Sequence, residues 1–280
     1  MNIFKIRRLS ATFIINGILL MGVYAMLIPF IFMVTSTFKP NSEIFAQPVK
    51  ILPASLHLEN YDYLFTEYPY FRWYTNTIFI TLIRVAISVT LSAMAGYALA
   101  KYNFRFKKLI FMLVIISLLL PFQILVVPLF LEMVAFNWLN NYWGVIIPFA
   151  ISPFYIFLMR QYMLSVPDEL IDAGRIDGAS EFGIFWRVVA PIQKPAFAVI
   201  SILSFTFVWG DYFWPLVVLS STQMFVLNIG IATMWGPYRV PYGAILAGSF
   251  LATLPVVAIF LLMQRQFISG LTAGALKGVG

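Results

Sequence analysis

The sequence predicts an all-α, polytopic membrane protein: six transmembrane helices in a single domain of 280 residues, with a short cytoplasmic helical segment between spans four and five. Three observations carry this expectation. The chain is 61% hydrophobic and 10% charged with a mean hydropathy of +0.90, which leaves too little polar surface to clothe a water-soluble globule. Its apolar residues gather into six runs of about 20 or more, the length needed to cross a ~30 Å hydrocarbon core. Its charges fall between those runs and are mostly basic, except in DELIDAGRIDGASEFGIF (residues 168–185), where five of the eleven acidic residues sit within fourteen positions.

The first run, Ser10 to Val34, follows Lys5, Arg7 and Arg8. It is too long for a signal-peptide core and no small-residue cleavage site closes it, so it reads as a retained anchor. The stretch from Phe38 to Tyr74 is the longest exterior loop; Pro40, Pro48, Pro53 and Pro69 oppose continuous helix there, and its aromatic residues favour a place over the membrane surface. The second run, Thr75 to Ala100, carries Arg84. A lone charge at mid-membrane costs roughly 2.5 to 3.5 kcal/mol, so Arg84 is expected to snorkel outward, with pairing to a partner chain as the alternative. In the third run, Leu109 to Leu131, Gln123 lies between Pro121 and Pro128, where it either lines a polar pathway or bonds a neighbouring helix.

The fourth run is Tyr142 to Tyr162, the fifth Ala196 to Ser220 and the sixth Tyr242 to Met263. Asp211 lies about 24 Å along the fifth at ~1.5 Å per residue, flanked by Trp209, Tyr212 and Trp214. An ionisable residue within a span is a functional candidate; with these aromatic faces it suits a sugar, and the same residues also fit an interfacial aromatic belt beside outer water. Ser92, Gly96, Ala100 and Ala244, Gly248, Ala252 recur every four positions, as helix-packing faces do.

Six crossings put both termini on one side. If that side is the cytoplasm, the inner segments hold thirteen of eighteen basic residues: Lys5, Arg7, Arg8, Lys101, Arg105, Lys107, Lys108, Arg160, Arg175, Arg187, Lys194, Arg265 and Lys277. The outer segments hold Lys39, Lys50, Arg72 and Arg239. The positive-inside rule then fixes the orientation and makes residues 164–191 cytoplasmic.

That cytoplasmic segment reads as two short helices. Pro167 suits a first turn, Asp168 and Glu169 complement the positive dipole end, and Gly178 takes the left-handed conformation that stops the helix. Ser180 caps a second helix whose apolar face is Phe182, Phe185, Trp186 and Val189, directed towards the spans, and Pro191 ends it. The turn from Arg175 to Ser180 projects into the cytoplasm. Four basic and five acidic residues between Arg160 and Lys194 make a poor lipid-facing surface, leaving either a protein-docking element or a solvated loop.

Several classes fall away. Zero Cys removes disulfides and thiolate chemistry, and the single His57 leaves no imidazole cluster for a metal, so no catalytic or metal residue is assigned. The net charge of +7 is spread over short linkers, which argues against nucleic acid. GLTAGALKG (residues 270–278) lacks the spacing of a phosphate-binding loop, so the chain is not expected to hydrolyse ATP. A self-contained secondary transporter driven by an ion gradient is the alternative, but it has only Asp211 and Arg84 for coupling and no visible repeated halves. A membrane-embedded enzyme has still less to work with.

The run DAGRIDGASEFGIFWRVVAP resembles the signature loop of binding-protein-dependent ABC transporter permeases: Glu-Ala-Ala, three residues, Gly, nine residues, Ile-x-Leu-Pro. Asp172, Ala173 and Gly174 take the first places, Gly178 the glycine, and Val188, Ala190 and Pro191 the last three. The wider PDELIDAGRIDGAS is similar to the carbohydrate-uptake branch, in particular its smaller six-span, maltose-type permease. PFQILVVPLF, LNNYWGVIIP, WGDYFWPLVVL and QRQFISGLTAGALKG extend the likeness over most of the chain beyond Asn76.

The resemblance implies an importer of a sugar or oligosaccharide that works by alternating access in the plasma (inner) membrane of a prokaryote. It implies a second permease subunit forming a heterodimer, an extracytoplasmic solute-binding protein and two ATP-binding subunits, which hold ATP and Mg while this chain binds no cofactor. Glu169, Asp172, Ala173, Gly174, Arg175, Asp177, Gly178, Ala179 and Ser180 would then meet an ATPase, as a cytoplasmic coupling helix. Gln123, Trp209, Asp211, Tyr212 and Trp214 would form the substrate pathway or its outer gate. The tail from Leu271 to Gly278 either reaches between the ATPases or is a frayed terminus.

Overall fold

A computed structural model of the chain describes the backbone of residues 3–236 and 240–275, and the side chains of residues 12–236 and 240–264. The tail expected at Leu271 to Gly278, and the basic side chains Lys5, Arg7, Arg8, Arg239, Arg265 and Lys277, lie outside those described side chains. Among the described residues all regular structure is helical and no strand occurs.

Among the described residues three helices are long and apolar enough to cross a membrane unaided: Thr12–Ser36, Tyr70–Lys101 and Tyr242–Gln264. Three bent pairs raise the number of candidate spans to six if each pair counts as one. They are Lys107–Leu119 with Phe122–Ala135, bent by 104°, Tyr142–Phe149 with Pro153–Met163, bent by 44°, and Glu181–Ile192 with Lys194–Trp209, bent by 83°. The third run is therefore not the straight helix its apolarity implies. Proline disfavours the helical conformation at the residue before it, and Leu120 adopts ψ 118° in front of Pro121. The fifth run also breaks early: its helix ends at Trp209, leaving Asp211 and Tyr212 ahead of a short helix, Phe213–Val218.

The chain folds as two compact units. One comprises residues through Tyr70 with Thr233–Thr253. Polar pins fix its irregular segments: Asn60 donates to the carbonyls of Thr37 (2.8 Å) and Lys39 (2.7 Å), and the fully buried Lys39 donates to the Lys50 carbonyl at 2.6 Å. Asn41 Oδ1 accepts from the Gly243 N–H, and the Tyr70 hydroxyl donates to the Gly248 carbonyl at 2.7 Å. In that unit the Ala244, Gly248 stripe is a packing face.

The other unit comprises Phe71–Ala232 with the chain from Leu254 onward. One buried cluster joins Val89, Ala93 and Tyr97 to Tyr155, Met159 and Met163, and then to Ile171, Ile184, Phe185 and Val189 of the acidic segment. A second is built round Ile80, Val145, Val208 and Trp214. Gly96 lets two helices touch: a Cβ there would stand 2.6 Å from Met159 Cβ and 2.8 Å from the Arg160 nitrogen. The Ser92, Gly96, Ala100 stripe is thus a close-packed seam.

Candidate functional site: an anchored acidic hairpin and a charged cavity

The acidic segment folds as its local residues dictate. Pro167 sits extended before helix Asp168–Ile176, whose first turn holds Asp168 and Glu169. Gly178 ends it at φ +74°, and Ser180 Oγ accepts from the Gly183 N–H at 3.2 Å to open the next helix, Glu181–Ile184. Two details differ from expectation. Pro191 does not end the helix: Phe185–Val189 is a π turn in which the Ala190 N–H reaches the Phe185 carbonyl, so the missing proline N–H is accommodated and the helix runs to Ile192. The buried face is Ile184, Phe185 and Val189, while Phe182 and Trp186 are exposed and meet each other edge to face at 6.1 Å.

The hairpin is braced from within. Arg175 donates through Nε to Glu181 Oε1 at 2.7 Å and through Nη1 to Asp172 Oδ1 at 2.8 Å, crossing the turn. A Cβ on Gly174 would come within 3.0 Å of Ile184 Cγ1, so this glycine already serves the contact between the two helices. Glu169, Asp172, Ala173, Arg175, Asp177, Gly178 and Ser180 are exposed, and Gly174 and Ala179 half-buried.

It is also tied to the end of the Tyr70–Lys101 helix. Lys101 Nζ donates to the Val166 carbonyl and to Asp168 Oδ1, and the Tyr102 hydroxyl donates to Glu181 Oε2. The hydrogen bond from Arg175, with that from Tyr102, holds the Glu181 carboxyl below its ordinary pKa. Desolvation, then the bond to Glu181, pushes the Tyr102 phenol above its own, and the bond to Glu181 raises Arg175.

A cavity of about 390 Å³ lies higher on the same helix, lined by Arg84, Ser88, Phe149, Tyr155, Ser204 and Phe207 among others. Arg84 does not snorkel and needs no partner chain. It is 3% exposed, and its Nη1 lies 3.3 Å from Asp211 Oδ2 while Nε donates to the Phe149 carbonyl at 3.4 Å. Its guanidinium stands 5.0 Å over the Phe149 ring. An internal carboxylate is a shorter route to compensation than the membrane surface.

Of the residues expected along a pathway, Asp211 alone reaches this cavity, through Arg84. Gln123 is exposed and the neighbouring Phe122 lines the cavity instead. Trp214 is buried with its indole N–H on the Gly144 carbonyl at 2.9 Å, Trp209 stacks on Phe205, and Tyr212 is exposed. Sequence reasoning missed Ser88, Phe149, Ser204 and Phe207. The spacing of Ser204, Phe207 and Asp211, at i, i+3 and i+7, was the available signal. Among the described residues no three His, Asp or Glu side chains converge to hold a metal.

Long apolar helices, an exposed hairpin anchored to one of them and a cavity within the helical unit define a membrane permease. Residues 88–272 match the binding-protein-dependent transport system inner membrane component, and the chain belongs to that family. The arabinooligosaccharides transport system permease protein AraQ of Halalkalibacterium halodurans is 41% identical over 253 residues, 89% of this chain and 91% of that protein. The lactose transport system permease protein LacG of Rhizobium radiobacter is 29% identical over 266 residues, 95% and 97% of the two chains. Among solved structures, a chain of a bacterial ABC transporter involved in the import of the acidic polysaccharide alginate superposes with a TM-score of 0.83 at 25% identity, covering 93% of this chain and 98% of that one. The family is one of importer permeases, which are not themselves catalytic, and these relatives lend nothing to the ion-coupled alternative.

Proposed function

We propose that this chain is one membrane half of an ATP-driven importer of a sugar or oligosaccharide. It works with a second permease subunit, two ATP-binding subunits and an extracytoplasmic binding protein. Its six spans, the fifth beginning after the hairpin, form a single permease domain with both termini in the cytoplasm. Glu169, Asp172, Ala173, Gly174, Arg175, Asp177, Gly178, Ala179 and Ser180 dock on an ATPase, which carries ATP and Mg. Within this surface Gly174 and Arg175 shape the hairpin, and the exposed Asp177, Gly178 and Ser180 offer the contact.

The observation that carries this reading is the double tie of Lys101 to Asp168 and Tyr102 to Glu181. A docking element held at two points on a long helix passes displacement to that helix, and Arg84 lies 17 residues up it, about 26 Å at ~1.5 Å per residue. Closure of the ATPase pair would then act on the cavity as the spans alternate between inward-open and outward-open. The solute passes the cavity at Arg84, with Asp211 and Tyr212 at its outer gate; the sugars named for the relatives favour a saccharide cargo.

The chain lacks cysteine, so Ala179→Cys supplies a unique thiol. In complexes purified from the native membrane it is expected to cross-link to an ATP-binding subunit. Labelling of this thiol from the exterior only, or purification of a transporting chain without an ATPase, sinks the reading.

A further inference from the structure

The cavity pairs aromatic faces with a cation whose charge is already spoken for. Among the described residues Arg84 is the one charged side chain of its lining, and Asp211 balances it at 3.3 Å. Arg84 Nε and Nη1 have partners, and Nη2 makes no hydrogen bond within the described residues. Ser88, 1% exposed, also lines the cavity with an unpartnered Oγ. Phe207 is 65% exposed, and Arg84 stands 6.0 Å over its ring. The volume falls within the ~300–1,000 Å³ typical of ligand pockets.

We infer that this cavity receives an uncharged saccharide segment and discriminates against saccharides bearing a carboxylate or phosphate, with Arg84 and Asp211 as the specificity-determining pair. A neutral sugar has what the lining lacks. Its hydroxyls accept from Arg84 Nη2 and engage Ser88 Oγ, while its C–H faces cover the apolar ring surfaces. An anionic sugar must shed its hydration for a region whose cation is neutralised, beside a carboxylate of like sign. Removing the Asp211 charge reverses the preference, because Arg84 then becomes an unpaired buried cation able to make a charge-assisted hydrogen bond to a carboxylate.

This rests on the carbohydrate-importer reading, and the test separates the two. The complex with its partner subunits is placed in lipid nanodiscs without binding protein, and equilibrium binding of arabinotriose and of trigalacturonate is measured. The wild type is expected to bind arabinotriose at least tenfold more tightly. Phe207→Ala should lose that binding, and Asp211→Asn should improve trigalacturonate binding at least tenfold while changing arabinotriose little. Equal wild-type affinity for the two overturns the charge selection and leaves the importer reading standing, as does an Asp211→Asn complex that binds arabinotriose without gaining the acid. Binding of neither sugar overturns the carbohydrate reading and the selection with it. The wild-type ratio decides alone should Asp211→Asn fail to assemble.

Discussion

Lys101 Nζ at the end of the Tyr70–Lys101 helix donates to the Val166 carbonyl and lies 2.7 Å from Asp168 Oδ1, yet the two partners are unequally placed. The lysine side chain is 8% exposed and that of Asp168 is 76% exposed. An exposed carboxylate contributes ~1 kcal/mol or less, whereas a carbonyl robbed of its donor costs about 1–3 kcal/mol. Lys101→Met is therefore expected to loosen the hairpin, raising amide exchange over residues 166–180 about tenfold, and Asp168→Asn to change it by threefold or less. Equal effects would place the tie in the ion pair instead.

Glu181 and Tyr102 set a pH window for the same hairpin. The folded pKa of Glu181 is depressed, so its contribution is present above the unfolded value near ~4.3 and is lost as pH falls through the folded value. That of Tyr102 is raised, so its contribution is full below ~10 and is lost as pH rises through the folded value. Protection of residues 180–184, after correction for intrinsic exchange, should be flat from about pH 5 to 9. Arg175→Gln removes the largest cause of the Glu181 shift and should move the acid edge upward; an unmoved edge would contradict the assignment.

Gly178 separates conformation from contact. At φ +74° a side chain is strained by roughly 1–2 kcal/mol, but nothing lies within 4 Å of a Cβ, so the chain itself has no steric objection to a larger residue. Gly178→Ala and Gly178→Trp should disturb hairpin protection to a similar degree. Loss of stimulated ATPase activity and transport in the tryptophan variant beyond that in the alanine variant would then report on the docked partner. Equal activities in the two would place the contact elsewhere on the hairpin.

The hairpin was legible because its signals are local: Pro167, Gly178 and Ser180 each act on neighbours one to three residues away. The π turn was not, since a shift of one residue in the ladder leaves no trace in composition, and spacing alone does not tell that Ile184 rather than Phe182 and Trp186 faces the core. Apolarity located the runs but hid the 104° bend at Pro121, because hydropathy sums residues without regard to whether the backbone continues. The cavity was least legible. Arg84 and Asp211 stand 127 positions apart, and each taken singly reads as an isolated charge to be rescued by water or a second chain.

That pair also yields a stability ordering that distinguishes it from two independent charges. Arg84 is 3% exposed and Asp211 14%, so deleting the carboxylate strands the more deeply buried of the two charges, at a cost of about 3–5 kcal/mol by analogy with broken buried pairs. Deleting the arginine strands a carboxylate closer to solvent, which is cheaper. Replacing both by apolar residues removes the desolvation of both charges along with their attraction, so the double variant should lie near the wild type. Thermal melting of the detergent-solubilised complex is expected to rank Asp211→Leu lowest, Arg84→Met next, and the combined variant within a few degrees of the wild type. Additive losses would mean that the side chains act separately, and the neutralised cavity that selects uncharged solute would lose its basis.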